Sequence, residues 1–161
     1  MATSGQIATA YHEASHAVTA IELGIGLRKR GISIERDKDS LGQCYTRKPF
    51  RGCSESEGTD MQRVRAEKHA IICLAGYTGQ RRFFPRSRDG GAKDRRDAAS
   101  LMCHFVGSER ELDAYMKLLQ IHTEQLLSME HIQSQIEDVA KALIERKRLS
   151  AAEVEAIVWS V

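Results

Sequence analysis

The amino-acid sequence predicts a mainly α domain (α+β) with one small β-hairpin or sheet beside its N-terminal helix. Three observations carry that expectation. Apolar residues recur at three- and four-residue steps through most of the chain. Two-residue alternation is convincing in one region alone. No internal repeat or linker interrupts the 161 residues, of which 42% are hydrophobic, so residues 1–161 read as a single domain able to bury a core.

Residues 5–23 place Ile7, Tyr11, Ala14, Val18 and Ile21 on one helical stripe, and Gly24 and Gly26 end it. Gly31-Ile-Ser-Ile-Glu alternates. A charged turn at Asp37 to Ser40 leads to Leu41-Gly-Gln-Cys-Tyr-Thr, which reads as a hairpin of two or three strands. Residues 47–58, with Pro49, Gly52 and Gly58, read as loop. From Asp60 to Gly76 the period is helical again, through Met61, Val64, Ile71, Ile72 and Leu74. A basic loop with Arg81, Arg82, Arg86, Arg88 and Lys93 follows, and a helix is expected from near Asp94 to Gly107. Ser108-x-x-Glu111 is a capping box for a longer helix through Leu112, Met116, Leu119 and Leu126. Residues 131–148 put Ile132, Ile136, Val139, Leu143 and Ile144 on one face, and Ser150-x-x-Glu153 caps a last short helix.

Composition excludes several classes. The charge balance does not suggest disorder, and no apolar run approaches the roughly 18 residues of a membrane span. The N-terminus lacks a charged region followed by an apolar one, so no signal peptide and a cytoplasmic location are expected. A net charge of +2 argues against a dedicated nucleic-acid binder, and the basic stretch from Arg81 to Arg96 is read as a solvated loop interleaved with acids. Cys44, Cys53, Cys73 and Cys103 form no C-x-x-C pair, which predicts free thiols, two of them buried in helices. There is no G-x-x-x-x-G-K-[ST] phosphate loop.

His12-Glu13-Ala14-Ser15-His16 is an H-E-x-x-H motif. Residues four apart share a helix face, so two imidazoles converge on one point and can bind a metal, and Glu13 can reach an activated water as general base. Zinc lowers the pKa of such a water to about 7. The helical wheel sets both histidines roughly opposite the Ile7/Ala14/Val18/Ile21 stripe, away from the core, with small Ala8, Thr9, Thr19 and Ala20 beside them. A catalytic zinc usually takes a third protein ligand. Asp94, Asp97, Glu67, His69, His104 and His122 are candidates, and spacing does not choose among them.

Ile7-Ala-Thr-Ala-Tyr-His-Glu-Ala-Ser-His-Ala-Val resembles the zinc helix of the FtsH-type metalloproteases, usually A-x-HEAGHA. Further segments follow in the family's order. Ile32-Ser-Ile-Glu-Arg with Leu41-Gly-Gln-Cys-Tyr resembles its hairpin, whose edge strand faces the peptide. Ile71-Ile-Cys-Leu-Ala-Gly-Tyr-Thr-Gly-Gln resembles LAGRAAE, and Gly91-Ala-Lys-Asp94 with Ala98 resembles G-A-x-N-D-x-x-x-A. Ala140-Lys-Ala-Leu-Ile-Glu-Arg-Lys-Arg-Leu-Ser resembles the closing A-x-x-L-L-E-x-E-T-L. Ser15 stands for the usual glycine, Gln80 for glutamate and Lys93 for asparagine, and the stretch before Asp94 is one residue shorter. The family's membrane segment and AAA ATPase domain have no counterpart in this sequence.

The resemblance implies an FtsH-peptidase-like helical domain. His12, His16 and Asp94 would bind zinc, Glu13 would activate the water, and Leu41, Gly42, Gln43, Cys44 and Tyr45 would line the peptide. The expected activity is ATP-independent zinc endopeptidase cleavage of peptides or unfolded proteins. The alternatives are a protease subunit of a separate ATPase partner and a degenerate, non-catalytic peptide-binding domain. Ring formation in the relatives is shared with the ATPase, so homo-oligomer formation is left open. No nucleic-acid or membrane partner is expected.

Overall fold

The computed structural model describes residues 2–35, 42–48, 60–87 and 90–160. Thr3 caps the first helix, α1 (Ser4–Glu22), through a reciprocal box with Gln6. The chain leaves α1 through Gly24 and Gly26, both at φ 72°, a conformation that side-chain-bearing residues adopt at a cost. Strand β1 (Leu27–Ser33) pairs antiparallel with β2 (Gln43–Thr46), setting Ile32 opposite Cys44 and Ser33 opposite Gln43. The expected hairpin is therefore present, although Leu41 and the Asp37–Ser40 turn lie outside the described residues.

Five more helices follow among the described residues: α2 (Asp60–Phe83), α3 (Ala92–Met102), α4 (Glu109–Leu127), α5 (Glu130–Arg146) and α6 (Ala151–Val158). Ser108 accepts from Glu111 N at the start of α4, and Ser150 with Glu153 forms the full box at α6. The mainly α architecture with one small antiparallel sheet is thus as the sequence predicts. None of these helices is long and apolar enough to cross a membrane.

Three element boundaries differ from expectation. Helix α2 does not stop at Gly76 but runs to Phe83, so Arg81 and Arg82 are helical rather than part of a loop. Glycine inside a helix is tolerated where another element must approach closely, and Gly76 and Gly79 both face side chains of α1. Helix α3 opens at Ala92 and ends at Met102, before a 3-10 turn over Cys103–Phe105. Arg148 is not helical. Lys147 takes φ 64° and ends α5, and Arg148–Leu149 forms β3, antiparallel to β1 with Leu149 opposite Ile32. Two residues are too few to show alternation, and their partner lies more than a hundred residues earlier.

Among the described residues the sheet order is β2-β1-β3, which leaves β2 at an edge. One core joins α1, the sheet, α5 and α6 through Ala14, Val18, Ile32, Ile136, Leu143 and Leu149. A second joins α2, α3 and α4 through Ala66, Ala70, Leu74, Ala98, Met102 and Leu119. The apolar pattern at the start of α2 misleads: Met61 and Val64 are exposed, whereas alanines carry the buried stripe. The thiol expectation also needs correction. Cys73 is half-buried and Cys103 is exposed, so neither helical cysteine is fully buried; Cys44, Cys73 and Cys103 are free.

Gly31 joins the two long-range parts of the sheet. Its φ is 66°, and a Cβ there would lie 2.0 Å from Leu149 O. Gly31→Ala should therefore destabilise the fold by about 2–4 kcal/mol, combining left-handed strain with overpacking. Gly24→Ala has the same strain but no atom within 4 Å, so urea denaturation should show a loss of only about 1–2 kcal/mol. Equal losses would mean that the β1–β3 contact is not tight.

Candidate metal centre

Helix α1 is enclosed along most of its length, with Ala10 and every residue from Glu13 to Ile21 buried. The histidines are therefore not on an outward face. They meet α2, which runs antiparallel beside α1: His12 contacts Gln80 near one end, His16 contacts Ile72, and Lys68 Nζ donates to Leu23 O near the other. The crossing is close because Gly76 has no side chain. A Cβ on Gly76 would fall 2.2 Å from His16 Nε2 and 2.7 Å from His12 Nε2. One turn on, a Cβ on Gly79 would fall 2.0 Å from Ser15 Oγ. Gly79 thus makes the room that Ser15 requires.

Each imidazole is oriented by its other nitrogen. His16 Nδ1–H donates to Ile72 O at 2.6 Å, and His12 Nδ1–H donates to Gln80 Oε1 at 3.0 Å. The Nε2 atoms are left facing one another at 3.0 Å. Such outer partners fix ring orientation at metal sites. Gln80 performs this as a neutral amide, a role that spacing alone did not reveal.

Asp94 closes the cluster. It lies in the first turn of α3, where Gly91 seats the helix start against Tyr77: a Cβ on Gly91 would be 2.6 Å from Tyr77 Cβ. Asp94 Oδ2 is 3.1 Å from His12 Nε2 and 3.5 Å from His16 Nε2. Burial opposes ionisation of Asp94, but the two adjacent histidines outweigh it and hold the carboxyl well below its usual range. The three ligand atoms lie within 4.8 Å of one another, the only such group of three among the described residues, and could hold a metal ion. Two imidazoles and a carboxylate form a donor set suited to zinc.

The other candidate ligands are elsewhere. Asp97 is exposed and pairs with Lys93 at 3.9 Å. Glu67 accepts from the Tyr115 hydroxyl and pairs with Arg63. His104 and His122 are exposed. His69 is buried on α2, outside the cluster, with Nε2 lacking a hydrogen-bond partner.

Glu13 is one residue from His12 and 6% exposed. Burial pushes its carboxyl up to about 7, against the opposing pull of His12. Its carboxylate meets the chain entering β2: a Cβ on Gly42 would lie 2.8 Å from Glu13 Oε1 and 2.6 Å from Thr9 Cγ2. Cys44 turns inward onto the main core, whereas Gln43 and Tyr45 line the opposite face of the sheet. The expected peptide-lining residues are therefore divided between two faces, and Leu41 lies outside the described residues. Burial pushes the Cys73 thiol up to about 12 and the Cys44 thiol well above its usual value. Without a metal both stay protonated at neutral pH, so neither is a thiolate nucleophile, and neither belongs to the His12, His16 and Asp94 group.

A methyl at position 76 would occupy the space between the imidazoles while improving helix propensity by up to about 1 kcal/mol. Gly76→Ala should accordingly weaken divalent-metal binding in calorimetric titration far more than it lowers the melting temperature. Undiminished metal binding would exclude the converged geometry. For His69, burial and the nearby Arg65 lower the pKa to about 4. The unfolded chain thus binds more protons than the folded one between about pH 6.5 and 4. Its contribution is complete above pH 6.5 and is lost as pH falls through that window. The stability difference between wild type and His69→Leu should shift in that direction across it, and a pH-independent difference would contradict the buried neutral state.

No protein-family model and no curated protein matches the chain, so the reading of this site rests on its geometry.

Proposed function

We propose that the chain is a zinc-dependent endopeptidase that cleaves extended peptides with Glu13 as general base. One observation carries the proposal. His12, His16 and Asp94 converge within 4.8 Å, while Glu13 on the same helix turn lies against the backbone that enters an edge strand. When bound, zinc supplies Lewis acidity to a water and to a peptide carbonyl.

The chain's own groups do the rest. Ile72 O and Gln80 Oε1 hold the imidazoles with Nε2 turned into the site, and Asp94 brings the negative charge. Glu13, its carboxyl raised by burial to about 7, suits taking a proton from water and returning it to the leaving amine. No described strand pairs with the outer edge of β2, whose backbone donors and acceptors suit an extended peptide adding to the sheet. An extended segment meets this requirement and a folded domain does not, so unstructured peptides are the expected substrates.

Zinc-loaded protein should hydrolyse an unstructured peptide at a rate independent of added ATP. Glu13→Gln should retain the metal and lose roughly 100- to 10,000-fold in rate. Asp94→Ala should lose activity together with zinc, measured by metal analysis after dialysis. If wild type and Glu13→Gln were equally inactive with zinc bound across a broad peptide panel, hydrolysis by the isolated chain would be excluded. The same loading with cleavage appearing only beside a separate ATPase would assign it as a subunit of a larger protease.

A further inference from the structure

The outer face of the sheet, opposite the metal cluster, is a cleft of about 450 Å³ crossed by all three strands and the start of α6. Its charge is lopsided. Lys29, Arg30 and Arg148 line it against Glu35 and Glu153. Both glutamates are engaged: Glu35 with Arg148 at 2.5 Å, and Glu153 with Arg146 and the Ser150 cap. Lys29 and Arg30 are exposed in the cleft, and no described carboxylate pairs with either. Arg30 instead lies over the Tyr45 ring, 4.9 Å from its centroid. Tyr45 and Gln43 belong to the same four-residue edge strand whose entry touches Glu13.

We propose that this face docks an acidic stretch of extended polypeptide, so that the substrates of the peptidase are unstructured segments rich in Asp and Glu. The choice of substrate rests on the peptidase reading above; the docking itself does not. Successive side chains of a strand added to β2 point to opposite faces. One set would turn toward Glu13 and the metal cluster, the other toward the basic face, and continuation of the segment across the cleft would bring carboxylates to Lys29 and Arg30. A nucleic acid fits less well. It presents phosphate at every step, including against Glu35 and Glu153, and the one aromatic ring lining the cleft is already covered by Arg30.

The test measures binding apart from cleavage, using full-length Glu13→Gln protein with zinc and labelled unstructured peptides of equal length in fluorescence anisotropy. An Asp/Glu-rich peptide should bind about 10-fold or more tighter than a Gly/Ser-rich one, with the advantage shrinking as salt is raised. Lys29→Glu with Arg30→Glu should abolish that advantage and leave the neutral peptide unaffected, while Lys29→Arg with Arg30→Lys should keep most of it. Both positions are exposed, so unchanged circular dichroism is expected for the paired variants. Equal binding of acidic and neutral peptides, or indifference to the charge reversal, would overturn the proposal. Tighter binding of a single-stranded oligonucleotide than of the acidic peptide would overturn it in favour of a nucleic-acid surface. Wild-type cleavage without acidic preference would remove the docking face and leave the peptidase standing. Charge-reversible docking without cleavage would do the reverse.

Discussion

Where α1 crosses α2, two positions without side chains, Gly76 and Gly79, meet two imidazoles and a serine. The approach places a backbone carbonyl, Ile72 O, within 2.6 Å of His16 and the Gln80 amide within 3.0 Å of His12. Alanines at 10, 14, 17 and 20 let α1 pack closely on its other sides as well. A helix so enclosed has little freedom to rotate, and the histidines inherit that rigidity. The ordering that a metal site requires is built by helix packing rather than left to the ion.

The electrostatics follow from the same enclosure. Two histidines, Asp94 and Glu13 share a volume from which water is largely withdrawn, so the environment separates the carboxyls. Asp94 faces both histidines and stays ionised; Glu13 lacks comparable support, and burial raises its carboxyl to about 7. One carboxylate is thereby suited to holding a cation and the other to exchanging a proton. The thiols of Cys44 and Cys73 are kept protonated by burial at neutral pH.

The sheet is small, yet it joins distant parts of the chain. β1 connects the exit of α1 to β2, and β3 ties the start of α6 to the same end of β1. Gly31 allows that second junction because Leu149 O lies where a side chain would project. The result is a thin layer with two unlike faces: Ile32, Ile34 and Leu149 inside, and a basic cleft outside. The edge strand β2 borders both, which is why its residues divide between the neighbourhood of Glu13 and the outer cleft.

Features set by near neighbours could be read from the sequence. The His12/His16 pair follows from a four-residue spacing on a helix, and the caps at Ser108 and Ser150 follow from residues three apart. The mainly α class with one hairpin followed from periodicity. Features that depend on distant partners could not be obtained in this way. Spacing left Asp94 among six candidates, and only resemblance to a family favoured it; its approach to the histidines depends on how α3 packs against α2. The outward orientation assigned to the histidines failed because the Ile7/Ala14/Val18/Ile21 stripe marks only one of the buried faces, while Ala10, Ala17 and Ala20 and the glycines of α2 let the others be covered. β3 and the extension of α2 beyond Gly76 were hidden for related reasons. A two-residue strand has no period, and an internal glycine looks like a helix end until the helix packed against it is known. Local chemistry is encoded in adjacent residues, whereas the approach of Asp94 to the histidine pair, the Gln80 amide on His12 and the two-faced edge strand depend on contacts that only tertiary packing creates.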